Sequence, residues 1–512
     1  MHILRRSLLS LLTGCAVMVQ AGLIAQTPAP SKAIETAGST APGKAAAART
    51  AHATIPALLL SDIHMDPFAD PAKVARLNAA PASEWPAILA APNSPTRAKE
   101  FAALQAACPT RGIDTNFVLW RSSLRAMHAD AARAHFITLS GDLLAHAFDC
   151  KFQTLLPAAT QAEYLAFTVK TVRTIVATLR AALPGVPLYI AMGNNDSGCG
   201  DYQLDATHDA FLTLVAQVVA EALPADLSTA DRAAVLRDFS TGGSYSVPLA
   251  AVPHTRLLVV DDLYFSNRYA TCSGSTDPAP AAAQLAWLAG QLDAAREHGE
   301  QAWVMGHIPP GVDLYATERK STSVCAGAEP QMFLANESLA DLLARNADVV
   351  RLAIFGHTHA DEMRLLPPDD GPQAVKTAAS GVPVKIVASI TPINGNRPTF
   401  TLASIDPASA TLVDYTVFMA SNLSGAGATW SKEYVYSTTY HKRAFDAMAL
   451  MQLIGSFQAD PAAKTAASQA TLRNYFPGDI SRAIQFAWPQ YACSLDHDTA
   501  RSFSACACAA TK

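Results

Sequence analysis

The stretch Leu352-Ala353-Ile354-Phe355-Gly356-His357-Thr358-His359 sets the reading of the whole chain. Four apolar residues in an unbroken run suit a strand buried on both faces, as in a parallel sheet. The glycine that follows lets the backbone turn sharply, and two histidines then stand at the strand's carboxyl end. The same grammar recurs upstream. Residues 303–305 lead into Gly306-His307, 188–192 into Gly193-Asn194-Asn195-Asp196, 135–139 into Gly141-Asp142, and 56–60 into Asp62-Ile63-His64. The carboxyl ends of parallel strands share one edge of a sheet, so motifs far apart in sequence are expected to converge on one site.

A further apolar run, 257–260, has the same texture, and between the runs lie stretches with helical spacing at 117–134, 163–183, 204–223, 280–298 and 337–344. This alternation predicts an α/β fold with a largely internal sheet. The runs 385–390, 400–405 and 411–419 follow one another without helical spacers and are expected as antiparallel strands of a second sheet. The predicted architecture is a two-sheet sandwich flanked by helices. Helical patterning returns at 442–457 and 459–475, and the chain divides into an export signal (1–25), an Ala/Pro/Thr-rich tether (26–54), the sandwich domain (55–420) and a C-terminal helical, cysteine-containing cap (421–512).

With 512 residues, half of them apolar, the chain can bury a large core. Its formal net charge is -5 and its basic residues form no block beyond the start, so electrostatic adhesion to nucleic acid or to an anionic membrane is not indicated. Arg5-Arg6 followed by the apolar run 7–25 reads as an export signal rather than a spanning helix, and the expected destination is secreted, periplasmic or cell-envelope. Leu12-Thr13-Gly14-Cys15 resembles a lipobox that would leave a lipid anchor on Cys15, while Val19-Gln20-Ala21 suits ordinary cleavage before Gly22. Setting Cys15 aside, Cys108, Cys150, Cys199, Cys272, Cys325, Cys493, Cys506 and Cys508 make an even set in a chain expected to leave the cytosol, and disulfides of open connectivity are expected.

Asp62, His64, Asp142, Asn194, His307, His357 and His359 together offer imidazole nitrogens, carboxylates and one amide oxygen. Such a set suits zinc, with manganese or iron as alternatives. One zinc is satisfied by about four ligands, so seven are expected to hold two divalent ions, with Asp142 able to bridge them at roughly 3.5–4 Å, the separation used for in-line phosphoryl displacement. An isolated Asp-x-His or Gly-His is more often a turn or a surface pair. Five such motifs in order, each after an apolar run, single out one site.

The set resembles the calcineurin-like metallophosphoesterases, and their acid sphingomyelinase-like phosphodiesterase branch in particular. The resemblance runs from 55 to about 440 and includes His146, Asp277-Pro278 with Gln284-Leu285-Ala286-Trp287-Leu288, His307-Ile308-Pro309-Pro310-Gly311, and Ser389-Ile390-Thr391-Pro392 ahead of Pro398-Thr399-Phe400. It implies that Asp62, His64 and His359 hold one ion, that Asn194, His307 and His357 hold the other, and that Asp142 bridges them with a hydroxide as nucleophile. At Asn195 many members of the branch carry a histidine that protonates the leaving oxygen. The Gly-Asn-Asn-Asp form resembles that of endopolyphosphatases, and an amide can position a phosphoryl oxygen but cannot deliver a proton. His146, four residues after Asp142, is the remaining candidate for general acid, the alternative being that it merely orients a ligand. Asp196 is expected to orient a ligand histidine or to cap the next helix. A tyrosinate-iron site of the purple acid phosphatase kind would need a tyrosine where Ala145 stands.

The resemblance implies phosphodiester hydrolysis outside the cytoplasm. The substrate would be a small phosphate ester or polyphosphate, with monoester and nucleotide hydrolysis as variants on the same site. A non-catalytic, metal-stabilised binding protein is the competing class. Loops within 66–114, 197–209 and 267–278 are expected to line the cleft and to set leaving-group preference.

Overall fold

Apolar runs form strands buried on both faces and alternating segments form strands buried on one, and among the described residues there are twelve strands. They are β1 (Ile55–Leu60), β2 (Ile137–Ser140), β3 (Leu188–Ala191), β4 (Tyr245–Pro248), β5 (Thr255–Val259), β6 (Gln301–Met305), β7 (Val350–Phe355), β8 (Glu362–Leu366), β9 (Val382–Ile386), β10 (Thr399–Asp406), β11 (Thr411–Ala420) and β12 (Trp430–Val435). The structure is a computed structural model that describes residues 53–205, 210–367, 381–478 and 480–510. The export signal, the tether up to residue 52 and Cys15 lie outside the described residues.

Two six-stranded mixed sheets result, in the orders β12-β11-β10-β1-β2-β3 and β4-β5-β6-β7-β9-β8. In the first, β1, β2 and β3 run parallel, with Leu58 opposite Ile137 and Ile137 opposite Leu188. In the second, β5, β6, β7 and β9 run parallel, and β4 and β8 pair antiparallel at its edges. Aromatic side chains link the sheets. Phe136, just ahead of β2, meets Trp303 of β6 edge-on at 5.9 Å between ring centroids. The Trp303 indole donates to the Ala410 carbonyl between β10 and β11 at 2.8 Å.

The three late strands do not share a second sheet as expected. β10 and β11 pair antiparallel beside β1 in the first sheet, whereas β9 joins the second sheet parallel to β7. Burial explains the split. Every residue of β9 is buried, as an internal strand requires, while β10 alternates buried with half-buried positions along its second half. The expected strand 385–390 ends at Ile386 because the following backbone turns to the candidate site, with Ser389 N donating to His359 O at 3.3 Å and Thr391 N to Asp62 O at 3.0 Å.

The helices start where side chains satisfy the free amides. Asn116 caps Phe117–Ala131, Thr160 and Glu163 form a capping box on Gln161–Ala182, and Asp446 starts Ala447–Gln458 later than periodicity alone suggests. The expected helix 204–223 is shorter, Phe211–Ala222, since Leu204 N is bonded to Ala270 O. Strand pairing continues past residue 420 into β12, after which Ala466–Asn474, Trp488–Ser494 and Ala500–Ala510 complete the C-terminal helices. Four disulfides, Cys108–Cys150, Cys199–Cys272, Cys325–Cys508 and Cys493–Cys506, use all eight expected cysteines. No helix among the described residues is long and apolar enough to cross a membrane.

Candidate metal centre

The five motifs follow β1, β2, β3, β6 and β7, and their side chains come together at one edge of the sandwich. Asp62, His64, Asp142, His357 and His359 all have positive φ, at 48°, 45°, 55°, 71° and 62°. Left-handed backbone is uncommon for residues other than glycine and persists where surrounding bonds over-determine it. Here Asp62 N donates to Gly141 O, and His64 N to Asp142 O, both at 3.0 Å, while Gly356 N donates to His307 O at 2.9 Å. Asp62 Oδ2 also accepts from His357 N at 3.1 Å. Each loop thus fixes the next.

The side chains form two groups about Asp142. His64 Nδ1 faces the Leu144 carbonyl and His307 Nδ1 the Ser140 carbonyl, each at 2.8 Å. A carbonyl only accepts, so Nδ1 carries a proton and Nε2 is the nitrogen that a neutral ring would offer to a cation. Both Nε2 atoms lie 3.2 Å from the same Asp142 oxygen, Oδ2. On one side Asp62 Oδ1 stands 3.3 Å from His359 Nε2, which is itself 3.3 Å from His64 Nε2. On the other, Asn194 donates its amide to Asp201 at 2.7 Å, which turns its Oδ1 towards His307 Nε2 at 3.2 Å and His357 Nδ1 at 2.9 Å. Were these ring nitrogens unprotonated, acceptors would face acceptors on both sides of Asp142, so the arrangement needs positive charge, from protons or from cations, to hold it together.

The titration of these groups expresses the same demand. Burial disfavours an imidazolium at His307, yet the Asp142 carboxylate outweighs it and pushes the ring up to about 10. His64 rises by the same opposition of burial and Asp142. Burial and the His307 charge push His357 down to about 3. Against the cost of burial, His307 and His64 hold Asp142 ionised well below the usual carboxylate range. Divalent cations can take the place of those protons, and the donor set of nitrogens, carboxylates and an amide oxygen fits zinc or similar ions.

His146 stacks on His64 with centroids 4.0 Å apart. Its side chain is 30% exposed and lines the cleft, and Nδ1 is 2.9 Å from Asp114 Oδ1. Burial opposes charge on Asp114, but His146 and Lys151 hold it ionised well below the usual range. Lys151, itself buried, also pairs with Asp66 at 3.1 Å. Asn195 donates through its backbone and its amide to the two oxygens of Asp142, each at 2.9 Å. Asp196, expected to orient a histidine or cap a helix, instead accepts from the backbone of Leu143, Leu144 and Gly193 at 2.8–2.9 Å, tying the Asp142 loop to the Asn194 loop. Burial and Asp142 push its carboxyl up to about 7.

The centre opens into a cleft of about 1360 Å³. The three expected loops contribute Arg111, Tyr202 and Arg268, while His208 lies outside the described residues. Sequence reasoning missed the aromatic lining supplied by Tyr315, Phe333, Phe476 and Tyr491. It also missed Asp262, which accepts from His307 N and Ile308 N at 2.7 and 3.0 Å. An acid directly after the apolar run 257–260 was the available signal.

Known proteins share sequence with this chain over the same segments. The family model of calcineurin-like phosphoesterases matches residues 55–361. Cyclic GMP-AMP phosphodiesterase SMPDL3A of Mus musculus is 25% identical over 300 residues, covering 56% of this chain and 61% of that protein. Sphingomyelinase phosphodiesterase C of Dictyostelium discoideum is 23% identical over 335 residues, 63% of this chain and 66% of its own. The Homo sapiens sphingomyelin phosphodiesterase is 27% identical over 288 residues, 53% of this chain and 40% of its own. The chain thus spans less than two thirds of the length of each of these relatives. A dimetal phosphatase of Danio rerio superposes with a TM-score of 0.38 at 12% identity, over 74% of this chain and 99% of that one. The match over 55–361 covers all five motifs and the parallel strands β1 to β3 and β5 to β7, and the chain belongs to the calcineurin-like phosphoesterase family.

Proposed function

We propose that this chain is a phosphodiesterase that works with two divalent metal ions outside the cytoplasm. One observation carries the reading: a single carboxylate oxygen, Asp142 Oδ2, lies 3.2 Å from the Nε2 atoms of both His64 and His307, each of which belongs to a separate ligand group. In this reading Asp62, His64 and His359 hold one ion, Asn194, His307 and His357 hold the other, and Asp142 bridges. Zinc is the ion proposed. Two such cations supply an activated water and neutralise the phosphoryl oxygens.

His146 acts as the proton donor to the leaving oxygen. It is the exposed ring beside the centre, and Asp114 behind it sets its orientation as a carboxylate sets a catalytic imidazole. Asn195 holds Asp142 and orients a phosphoryl oxygen, a role its amide can perform without titrating. A leaving group that needs protonation favours a phosphodiester of an ordinary alcohol. Polyphosphate and phosphomonoesters are the alternatives on the same site. Four disulfides support an oxidising compartment for the folded chain, and the basic, apolar start at 1–25 supports export to the periplasm or cell envelope.

The test is metal content by mass spectrometry, together with hydrolysis of bis(4-nitrophenyl) phosphate and 4-nitrophenyl phosphate. The expected result is about two equivalents of metal and diesterase activity that a chelator abolishes and zinc restores. Bound metal with no turnover of either ester would refute the general phosphodiesterase and point to a narrow substrate such as polyphosphate or to the binding-protein class. No metal after zinc addition would refute the two-ion centre.

A further inference from the structure

The cleft carries positive charge that its own acids leave unpaired. Arg268 pairs with Asp201 at 3.4 Å and Arg364 with Glu362 at 3.3 Å, yet among the described residues no carboxylate pairs with Arg111 or Arg319, which line the same cleft. Both guanidinium groups stand over the ring of Tyr315, each with its central carbon 5.3 Å from the centroid. Arg319 also donates to the Tyr315 hydroxyl at 3.1 Å. Asp313, an acid that lines the same cleft, accepts from Ala316 N at 2.9 Å as the cap of Leu314–Glu318 and acts on Arg111 without forming an ion pair with it. Two cations converging on one ring repel each other, and a cation–aromatic contact at an exposed site offsets little of that repulsion.

The two arms are held in place. Arg111 follows Cys108, bonded to Cys150, and next to it Gly112 packs so tightly on the Ile393 backbone that a side chain would not fit. Arg319 follows Leu314–Glu318, and Cys325 beyond it is bonded to Cys508. Tyr315 is 52% exposed, so its ring is available to a ligand as well as to the arginines.

We propose that Arg111, Tyr315 and Arg319 form a second anion subsite, which receives a non-scissile phosphate of a substrate whose scissile phosphodiester lies at the metal centre. The inference rests on the phosphodiesterase reading and narrows it to substrates carrying at least two phosphate groups. Guanidinium groups suit this role because their paired N–H donors match phosphate oxygens.

Binding of adenosine 3′,5′-bisphosphate and of adenosine 5′-monophosphate, measured by calorimetry on the disulfide-intact protein at about 50 mM salt, tests it. The expected preference for the bisphosphate is roughly tenfold or more. The preference should fall below about twofold in the R111Q/R319Q double variant and recover in part in R111K/R319K, which keeps the charge without the fork. Equal affinity of the two nucleotides for the wild-type chain would overturn the subsite outright, as would an undiminished preference in the double variant. Hydrolysis of bis(4-nitrophenyl) phosphate by the same wild-type preparation reports on the phosphodiesterase reading separately. Activity without preference removes the subsite alone, and preference without activity leaves the subsite and removes the reading of a general phosphodiesterase.

Discussion

Gly193 offers a way to disturb the proposed centre without touching a ligand. A Cβ at this position would stand 2.8 Å from Asp142 Cγ and nearer still to its Oδ1 and backbone nitrogen. Ordinary carbon contacts are about 3.5 Å, so Gly193→Ala must move the Asn194 loop away from Asp142 by about 0.7 Å or more. Overpacking of this kind costs about 1–3 kcal/mol. The displacement also falls between the bridging carboxylate and a ligand of the second ion, where a misplacement near 1 Å can cost about 10²-fold in rate. The expected variant folds with a melting temperature lowered by a few degrees, retains about one equivalent of metal after dialysis, and hydrolyses bis(4-nitrophenyl) phosphate about 10²-fold more slowly. Gly290, mid-way along the helix Ala279–His298, faces open space, and a methyl group added there would meet nothing within 4 Å. Gly290→Ala should therefore stabilise by about 0.5–1 kcal/mol and leave metal and rate unchanged. A Gly193→Ala protein with full metal occupancy and a rate within about threefold of wild type would show that the close approach of the two loops does not define the site.

Two further outcomes follow from the geometry. His146→Gln should slow hydrolysis of a diester with an alkyl leaving group by about 10²–10⁴-fold but slow the nitrophenyl diester far less, since nitrophenolate leaves without a proton; equal losses on both would remove His146 as general acid. Glu433 on β12 is pushed by burial, and then by Asp361, from its ordinary 4.5 up to about 9. The folded chain keeps there a proton that the unfolded chain releases near its ordinary value, so this group favours the fold fully below about 4.5 and that contribution is lost as pH rises through about 9. Glu433→Gln should flatten the decline of melting temperature between mildly acidic and alkaline pH, and an unchanged slope would contradict the shift.

Local chemistry made much of this molecule legible. An apolar run followed by glycine and a polar side chain located four of the five motif-bearing strand ends, and a run followed by Ser61-Asp62 the fifth, because burial on both faces and a sharp exit both leave marks in adjacent residues. Strand partnership was less visible. Lys385 lies in the middle of β9, where a lysine ordinarily argues for an exposed edge, and it is tolerated there because it pairs with buried Asp361. That partner lies in another segment, so no local pattern announces it. The same holds for Asp114 behind His146 and for Asp262 beneath the His307 loop, which are distant carboxylates whose value lies in where the chain folds them. The aromatic wall from Phe476 and Tyr491 was hidden because helical periodicity reports which face of a helix is apolar and not which cavity it borders.

The Cys325–Cys508 bond, with a sequence separation of 183, also bears on biosynthesis. A chain made from its amino end forms domains in the order they appear, and all seven proposed metal-facing side chains precede residue 360. Part of the aromatic lining comes from residues beyond 475, which the Cys325–Cys508 bond and backbone bonds such as Leu365 N to Leu495 O fasten to earlier segments. That side of the cleft is therefore completed after the segments that carry the proposed metal-facing groups have been made, which leaves those groups open to bulk ions there until it docks.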